Sequence, residues 1–328
     1  MNLEKEKPQI LLEAKKISFS YGEKMVLKNV SFRLKANEII GIVGESGSGK
    51  TSLLKILGGF LSPDKGVVFL DGNSLKNSNE KLILGEEKIK LVNQDFDLMP
   101  FISVDENIAS ENLSQSESAR KKMLGEYHRK LQIGNIKNQK AERTSGGQQQ
   151  RVAMAKALSV KPEVLLLDEP FSNLDFSLKN RIIDLLQTRW KAKGIIVVAH
   201  EPTDILKMAD RILVMDKGRI IQEGSSQELY HKPKNQYVAE LLGPVNVLES
   251  IEAQDLGINN EGDKKVYLRP NKLKIVHKNG LKAEVLKSHY YGAYYILECY
   301  VKKWDKILKV QAAANKSGKV SLGLKHEI

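Results

Sequence analysis

The sequence has very little cysteine and no long apolar stretch. Cys299 is the only cysteine in 328 residues, so no disulfide can form within the chain. This usage is typical of a reducing compartment. No apolar run approaches the roughly 20 residues that a transmembrane helix needs, and the charged N-terminal residues lack the apolar core of a signal peptide. We therefore expect a cytoplasmic protein.

Metal-ligand spacing and nucleic-acid-binding patterns are also missing. The six histidines are scattered, and no run of basic residues is interleaved with aromatics. The net charge is nevertheless 52 − 40 = +12, and residues 241–328 alone hold 15 Lys/Arg against 9 Asp/Glu. Such an excess suits a nucleic acid or an anionic membrane surface, although scattered lysines more often form a solvated face. We expect no nucleic-acid partner.

The most informative stretch that is present is Gly44-Glu45-Ser46-Gly47-Ser48-Gly49-Lys50-Thr51, which fits the phosphate-loop pattern G-x-x-x-x-G-K-[ST]. A buried-strand pattern precedes it at 38–43, and a helical pattern follows it at 50–57. The glycines allow successive amides to point at phosphate oxygens, and the helix adds its positive N-terminal end. Lys50 can reach the β- and γ-phosphates, and the Thr51 hydroxyl can ligate Mg²⁺. The sequence therefore predicts nucleotide binding.

The order of apolar patterns predicts an α/β fold. Short apolar strands alternate with helices up to about residue 242, which favours a mostly parallel sheet. A polar, helical stretch at about 95–160 would form a subdomain, with candidate helices at 104–113 and 117–131. From residue 243 to 328 the pattern changes to short strands and polar turns, which predicts a small β-barrel or sandwich.

A pair of carboxylates follows the buried strand at 164–167. An acid at the tip of such a strand is where phosphate-loop proteins hold Mg²⁺, so Asp168 is the candidate metal ligand. The adjacent Glu169 could orient and deprotonate an attacking water. The alternative is an acid pair that caps a helix after a core strand. The phosphate loop upstream favours catalysis.

A second anion site is predicted at Ser145-Gly146-Gly147-Gln148. These residues open an amphipathic helix, so a hydroxyl and two glycine amides gather at a helix N-terminus. One nucleotide does not need two such cradles from one chain, which suggests that this one serves a neighbouring molecule. A plain serine N-cap followed by glycines is the alternative.

This Ser-Gly-Gly-Gln run, lying between the phosphate loop and Asp168-Glu169, resembles the signature motif of ABC transporter ATPases. Further motifs follow the family's order, and the resemblance covers about residues 9–242. Tyr21 resembles the aromatic residue that stacks on adenine, and Gln94 the glutamine that senses Mg²⁺ and the attacking water. Residues 172–175 resemble the D-loop, and His200 the switch histidine that contacts the γ-phosphate.

The resemblance implies ATP and Mg²⁺ as cofactors, and it assigns the site. The catalytic residues would be Lys50, Gln94, Glu169 and His200, and the metal ligands Thr51, Gln94 and Asp168. The nucleotide contacts would come from Tyr21, Gly44, Glu45, Ser46, Gly47, Ser48, Gly49, Lys50, Thr51, Ser52, Ser145, Gly146, Gly147, Gln148 and Asp175. Two positions depart from the family pattern: Thr144 replaces the usual Leu, and Glu201 a common Asp. Neither change removes a phosphate-contacting group.

The stretch 218–243 resembles importer ATPases for maltose, spermidine/putrescine, ferric iron and sulfate. In those proteins an OB-like TOBE domain follows, and Leu268-Arg269-Pro270 resembles its marker. The resemblance thus divides the chain into an ABC ATP-binding domain at 1–242 and a TOBE-like domain at 243–328. It implies a homodimer or pseudo-dimer of ATPase subunits on the inner face of the cell membrane, bound to integral membrane permease subunits. An extracytoplasmic solute-binding protein would be an indirect partner.

An apolar segment lies at the edge of the polar helical insert. Residues 96–102 contain five large apolar side chains, and exposed apolar clusters usually mark an interaction site. Some of the five could pack inside the subdomain. We predict that Phe96 and Met99 line a groove for the permease's cytoplasmic coupling helix.

Two other functions are compatible with a phosphate loop. A soluble ABC ATPase acting on ribosomes or DNA would explain the positive charge, but such proteins carry two ATPase units or long coiled coils, and this chain has neither. A phosphate-loop kinase or GTPase would leave the Ser-Gly-Gly-Gln run unexplained. An import ATPase therefore accounts for most of the sequence.

Overall fold

The computed structural model describes residues 9–76, 84–189, 194–199, 201–259, 264–277 and 280–325. These residues form two compact units, Met1–Ser226 and Gln227–Ile328. The predicted fold class is confirmed: the first unit is a layered α/β structure, and the second contains a curled antiparallel sheet. Across the described ranges, no helix is both long and apolar enough to cross a bilayer.

The strands of the first unit form two sheets. Their bounds are β1 (Ile10–Tyr21), β2 (Lys24–Lys35), β3 (Ile39–Val43), β4 (Lys65–Leu70), β5 (Asn73–Ser74), β6 (Ile89–Val92), β7 (Val164–Asp168), β8 (Gly194–Val198), β9 (Arg211–Asp216) and β10 (Arg219–Gly224). The central sheet has the order β10-β9-β3-β8-β7-β6 and is parallel except for the β9–β10 hairpin. The second sheet, β2-β1-β4-β5, is antiparallel.

Burial explains the parallel sheet. Every residue of β3, β7 and β8 is buried, as expected for strands that are covered on both faces. The register brings the functional strand ends together, because Val198 pairs with Ile42 on one side and with Asp168 on the other. The phosphate loop after β3 and the carboxylates after β7 therefore meet at one edge of the sheet, where ligands bind in open α/β folds.

Several helices of the first unit begin at a side-chain cap. Their bounds are α1 (Lys50–Leu57), α2 (Val104–Ala109), α3 (Glu117–Leu131), α4 (Gly146–Ser159), α5 (Phe176–Arg189) and α6 (Pro202–Met208). Ser103 and Glu106 form a capping box on α2, and Ser116 caps α3. The buried Asn107 side chain accepts from the Met99 amide at 2.8 Å and donates to the Met99 carbonyl at 3.0 Å. These bonds fix the backbone of the apolar segment against α2.

The second unit has short helices around a β-core. Its elements are α7 (Ser226–His231), α8 (Gln236–Leu241), β11 (Asn246–Leu248), α9 (Ser250–Asp255), β12 (Val266–Leu268), β13 (Leu273–Val276), β14 (Leu281–Tyr290), β15 (Tyr295–Val301), β16 (Lys306–Ala312) and β17 (Gly318–Leu324). The sheet order is β13-β17-β14-β15-β16, and the edge strands β13 and β16 also contact each other. Leu273, Leu297 and Leu308 lie in the core that this curled sheet encloses.

Arg269, in the predicted marker of the second unit, is a buried structural residue. Only 3% of its surface is exposed, and its guanidinium lies 4.1 Å from the centre of the Tyr230 ring. It donates to the carbonyls of Tyr230 at 3.1 Å and of Ala239 and Gly243 at 2.8 Å. Burial lowers its pKa, which the nearby Tyr230 opposes. Arg269 thus ties the helical segment of this unit to its first strands.

Candidate functional site

The phosphate loop depends on glycine at two positions. A Cβ added to Gly44 would lie 2.3 Å from the Met215 carbonyl oxygen, so the backbones can approach only when no side chain is present. Gly49 has φ +100°, a left-handed conformation that strains other residues. Gly49 is also the N-cap of α1, and no side chain accepts from the helix's first amides. These amides are therefore available to a phosphate.

Lys50 lies folded over this loop. Its Nζ donates to the Gly44 carbonyl at 2.7 Å and to the Glu45 carbonyl at 2.8 Å. The residue is only 6% exposed. Burial lowers the Lys50 pKa, while the charges of Glu169 and Asp168 oppose that change. The predicted lysine and both predicted carboxylates therefore occupy one electrostatic site.

Asp168 and Thr51 form a pair that fits Mg²⁺. Burial raises the pKa of Asp168, and a hydrogen bond from Thr51 lowers it. Asp168 Oδ1 is buried and has no hydrogen-bond partner in the described part of the chain. A buried carboxylate oxygen without a donor is costly, and a metal-bound water would satisfy it. Because Mg²⁺ is usually held by one or two carboxylates together with substrate phosphates, the two residues fit that ion.

The Glu169 backbone has a left-handed φ of +53°. Non-glycine residues are held in this region only by their surroundings, and such strain is concentrated at functional sites. Its amide donates to the Val198 carbonyl at 2.9 Å, and its carbonyl accepts from Gln150 Nε2 at 2.9 Å. Glu169 is thus fixed by β8 and by α4. Gln150 was not predicted as a site residue, although it lies two positions after the signature run.

The predicted signature run forms the N-terminus of α4. Ser145 Oγ accepts from the Gln148 amide at 3.4 Å, and the Gln148 side chain accepts from the Ser145 amide at 2.8 Å. Gly147 touches the D-loop segment, because an added Cβ would lie 2.5 Å from the Asn173 carbonyl oxygen. The unusual Thr144 is buried, and its hydroxyl donates to the Ala141 carbonyl at 2.7 Å. The run is therefore locally stable with threonine in place of leucine.

The other predicted residues have different environments. Asp175 caps α5, because its Oδ1 accepts from the Leu178 amide at 2.9 Å. Tyr21 is 51% exposed and meets Phe19 edge-on at 4.8 Å. Gln94 is exposed just after β6. His200 lies outside the described residues.

A lysine missed by the sequence analysis holds the segment after position 200. Lys179 Nζ donates to Glu201 Oε2 and to Asp204 Oδ2, both at 3.0 Å. All three residues line a cavity of about 240 Å³ together with Glu169. The unusual Glu201 therefore has an ion-pair partner on α5. No sequence spacing links positions 179 and 201, so only the fold could show the pair.

The comparisons with known proteins agree with this geometry. The ABC transporter family model matches residues 27–172. The spermidine/putrescine import ATP-binding protein PotA of Clostridium acetobutylicum is 34% identical over 91% of this chain and 90% of its own length. The glucose import ATP-binding protein GlcV of Saccharolobus solfataricus is 38% identical over 74% of this chain and 69% of its own length.

Solved structures of ATP-binding cassettes resemble this chain in sequence and fold. The dimeric post-hydrolysis cassette MJ0796, bound to ADP and Pi, has a TM-score of 0.59 and 28% identity and covers 66% of this chain and 99% of its own. A bacterial Atm1-family ABC exporter with ATP bound has a TM-score of 0.63 and 26% identity, over 71% of this chain and 41% of that chain.

Proposed function

The chain belongs to the ABC transporter family of ATP-binding proteins, and from this premise we propose that two copies bind two ATP molecules head to tail. The chain is the ATPase subunit of an ABC import system, and it works as a dimer with membrane permease subunits. In the proposed arrangement, each phosphate loop faces Ser145-Gly146-Gly147 of the other copy. An extracytoplasmic solute-binding protein would deliver the solute, and the dimer would lie on the inner face of the membrane.

One observation carries the head-to-tail proposal. The N-terminus of α4 offers a hydroxyl and glycine amides, but the polar contacts of Ser145 are with Gln148 and Gln149 of the same helix. Gln150, on that helix, holds the carbonyl of the predicted catalytic Glu169. The N-terminus of α4 is thus linked to the predicted catalytic Glu169 through Gln150, while Ser145 makes its own side-chain contact with Gln148. This arrangement suits binding of a second copy's nucleotide.

We assign the chemistry to residues around the phosphate loop. Lys50 and the uncapped amides of α1 would bind and neutralise the terminal phosphates. Thr51, Asp168 and Gln94 would hold Mg²⁺, which neutralises charge on the phosphate oxygens when it is bound. Glu169, whose backbone is fixed on both sides, would orient the attacking water and accept its proton. His200 is expected to contact the γ-phosphate, and Tyr21 the adenine.

Two variants distinguish the roles of the two cradles. Lys50→Ala should lose ATP affinity and turnover together. Ser145→Arg should keep the ATP affinity of the isolated subunit and lose turnover, because its own phosphate loop is intact. A fluorescent ATP analogue gives the affinity, and phosphate release gives the turnover. Equal loss of affinity in both variants would mean that Ser145 serves the nucleotide of its own copy. Normal turnover in Ser145→Arg would mean that the second cradle is not used.

We further propose that the apolar segment at 96–102 contacts the permease. Phe101 is 71% exposed and Met99 is 42% exposed, whereas Phe96 is half-buried. Exposed apolar side chains grouped in this way usually mark a protein contact. Their position directly after Gln94 would let them carry a nucleotide-dependent movement to a permease helix.

Serine substitutions test this contact. Phe96→Ser with Met99→Ser should abolish permease association in detergent extracts and solute uptake, while basal ATPase activity of the isolated subunit is retained. Met99→Ser with Phe101→Ser affects only exposed side chains, so it gives the same test without a risk to the core. Leu113→Ser is the matched control, since Leu113 is 73% exposed in the same subdomain. Unimpaired assembly in both double variants would refute the contact.

We also propose the domain division predicted from the sequence, with ATP binding at 1–242 and a TOBE-like β-domain at 243–328. The second hydrophobic core supports it, since its members lie between Leu248 and Leu324. In the structure the second compact unit begins earlier, at Gln227, because the buried Arg269 of the predicted TOBE marker bonds the carbonyls of Tyr230 and Ala239 as well as that of Gly243.

A further inference from the structure

The outer face of the C-terminal sheet carries a groove that the ATPase function does not use. Its lining residues come from β13, β14, β15 and β17 and from the segments that follow β13 and β15 and precede β17, and its volume is about 710 Å³. This volume lies within the range of small-molecule sites. The groove also contains hydroxyl groups from Ser317 and Ser321 and the Tyr300 side chain.

The groove is strongly basic. Four lysines line it, and Glu284 is the only acid among its described lining residues. The four lysines are Lys282, Lys302, Lys316 and Lys319. Part of the positive charge of the C-terminal region therefore lies at one concave surface. The sequence alone assigns no function to this charge.

These lysines differ from others in the same unit. Lys265, Lys303 and Lys306 each form an ion pair with an acid, at N–O distances of 3.0, 2.5 and 2.5 Å. The four groove lysines make no ion pair with any residue that the structure describes. Neighbouring unpaired ammonium groups repel one another, and an anion bound between them would relieve that repulsion.

The strand register explains the convergence. Lys282 is opposite Ser321, and Glu284 is opposite Lys319 on one side and Tyr300 on the other. Because side chains alternate along a strand, these residues share one face. The intervening Ala283 is buried and faces the core. The register therefore places Lys282 and Lys319 on one face of the sheet. Lys302 and Lys316 line the groove from the segments that follow β15 and precede β17.

We propose that this groove binds a small polyanion that carries two or more phosphate or carboxylate groups. Lysines bind such groups as mobile point charges, and the serine hydroxyls can donate to the same oxygens. The concave shape favours a compact ligand over a membrane surface. A single acid, Glu284, limits the affinity, which suits a ligand that must also be released.

Titration of the full chain with tripolyphosphate tests the site, with ADP at saturation so that the phosphate loop is filled. Saturable binding should perturb the amide NMR signals of Lys319 and Ser321. Lys282→Gln with Lys319→Gln should weaken binding at least ~10-fold, because two charge-assisted contacts are lost. Arginine at both positions should restore it. Glu284→Gln should strengthen binding by about 3-fold, since a nearby repulsive charge disappears.

The control variant is Lys287→Gln with Lys309→Gln, which removes the same charge from exposed positions in this unit outside the groove lining. It should change the affinity less than ~2-fold at physiological salt, where distant charges are screened. Equal weakening by both double variants would reduce the effect to net charge and overturn the proposal. So would an absence of saturable binding at millimolar tripolyphosphate. Tighter binding of phosphatidylserine vesicles or a single-stranded oligonucleotide through Lys282 and Lys319 would assign the groove to a membrane or nucleic acid instead.

Discussion

The two helix N-termini of the ATP-binding unit, those of α1 and α4, are both rich in glycine but carry different groups. At α1 no side chain caps the first amides, and Lys50, Asp168 and Glu169 interact electrostatically beside them. At α4 the Ser145 hydroxyl and the Gln148 side chain form a capping box. The N-terminus of α1 has charged groups that suit binding of phosphates and activation of a water molecule. The N-terminus of α4 has only a hydroxyl, amides and the helix dipole.

The Arg151 side chain, on the first turns of α4, is bonded to backbone carbonyls. It lies three positions after the signature run, and its guanidinium donates to the carbonyls of Leu131, Gln132 and Gly147 at 2.9, 2.8 and 3.2 Å. The Leu131 and Gln132 carbonyls lie at the C-terminus of α3, where a positive charge is stabilising. Arg151 is therefore used for the structure of the subdomain. The charged groups at the α1 N-terminus suit phosphate chemistry, and the hydroxyl and amides at the α4 N-terminus suit the proposed recognition of a phosphate that the other copy holds.

The largest effect is expected from a change in the chemistry of the first cradle alone. Glu169→Gln keeps the shape and the backbone bonds to Val198 and Gln150 but removes the general base. Turnover should fall by roughly two or more orders of magnitude. ATP affinity should be retained, because Lys50 and the amides of α1 are unchanged. Phosphate release and nucleotide titration measure the two quantities. Near-normal turnover would remove Glu169 from the mechanism.

An intermediate effect is expected in the second cradle. Gly147→Ala places a methyl group 2.5 Å from the Asn173 carbonyl, so the D-loop segment must shift. We expect turnover to fall about 10-fold, as small misplacements of catalytic groups can cost up to two orders of magnitude. ATP affinity of the isolated subunit should be unchanged.

Gly146→Ala is the steric control for this prediction, because nothing lies within 4 Å of its added Cβ. Its melting temperature should equal or exceed that of the wild type, since alanine favours the helix, while that of Gly147→Ala should fall. Equal melting temperatures in both variants would show that Gly147 is not needed for the contact with Asn173.

The smallest effect is expected where the sequence departs from its family. Thr144→Leu removes the bond from the hydroxyl to the Ala141 carbonyl, but that oxygen also accepts from Gln149 Nε2 at 3.1 Å. No buried acceptor is left unsatisfied, so the free energy of unfolding should change by less than ~1 kcal/mol. Turnover should stay within about twofold of the wild type. Urea denaturation and an ATPase assay measure both. A larger loss would show that threonine has a specific role.

The fold and the placement of most candidate site residues could be predicted because short motifs determine local geometry. The strand before Gly44 and the strand before Asp168 were recognised as apolar runs, and a parallel sheet must bring their carboxyl ends to one edge. The helix predicted at 117–131 has those bounds. The helix predicted at 104–113 is shorter in the structure and ends at Ala109. Beyond its end, the Asn112 side chain donates to the Ser159 hydroxyl at 2.6 Å.

Contacts between side chains that are distant in the chain could not be predicted from the sequence. Gln150 donates to the Glu169 carbonyl, and Lys179 donates to Glu201 and Asp204. No sequence motif predicts these hydrogen-bond partners. The sheet register places Lys282 and Lys319 on one face, but no motif in the sequence distinguishes them from the lysines of the same unit that form an ion pair with an acid. Composition could indicate the charge excess but not its location.

Head-to-tail binding of ATP is tested by the molar mass of Glu169→Gln protein in solution, measured by light scattering with and without ATP. Slow hydrolysis should trap the nucleotide-bound state, so we expect a monomer without ATP and a dimer with it. Adding Ser145→Arg to the same protein should abolish the dimer while nucleotide binding to the monomer persists. A monomer at saturating ATP, or a dimer that forms equally well with Ser145→Arg, would contradict the head-to-tail arrangement.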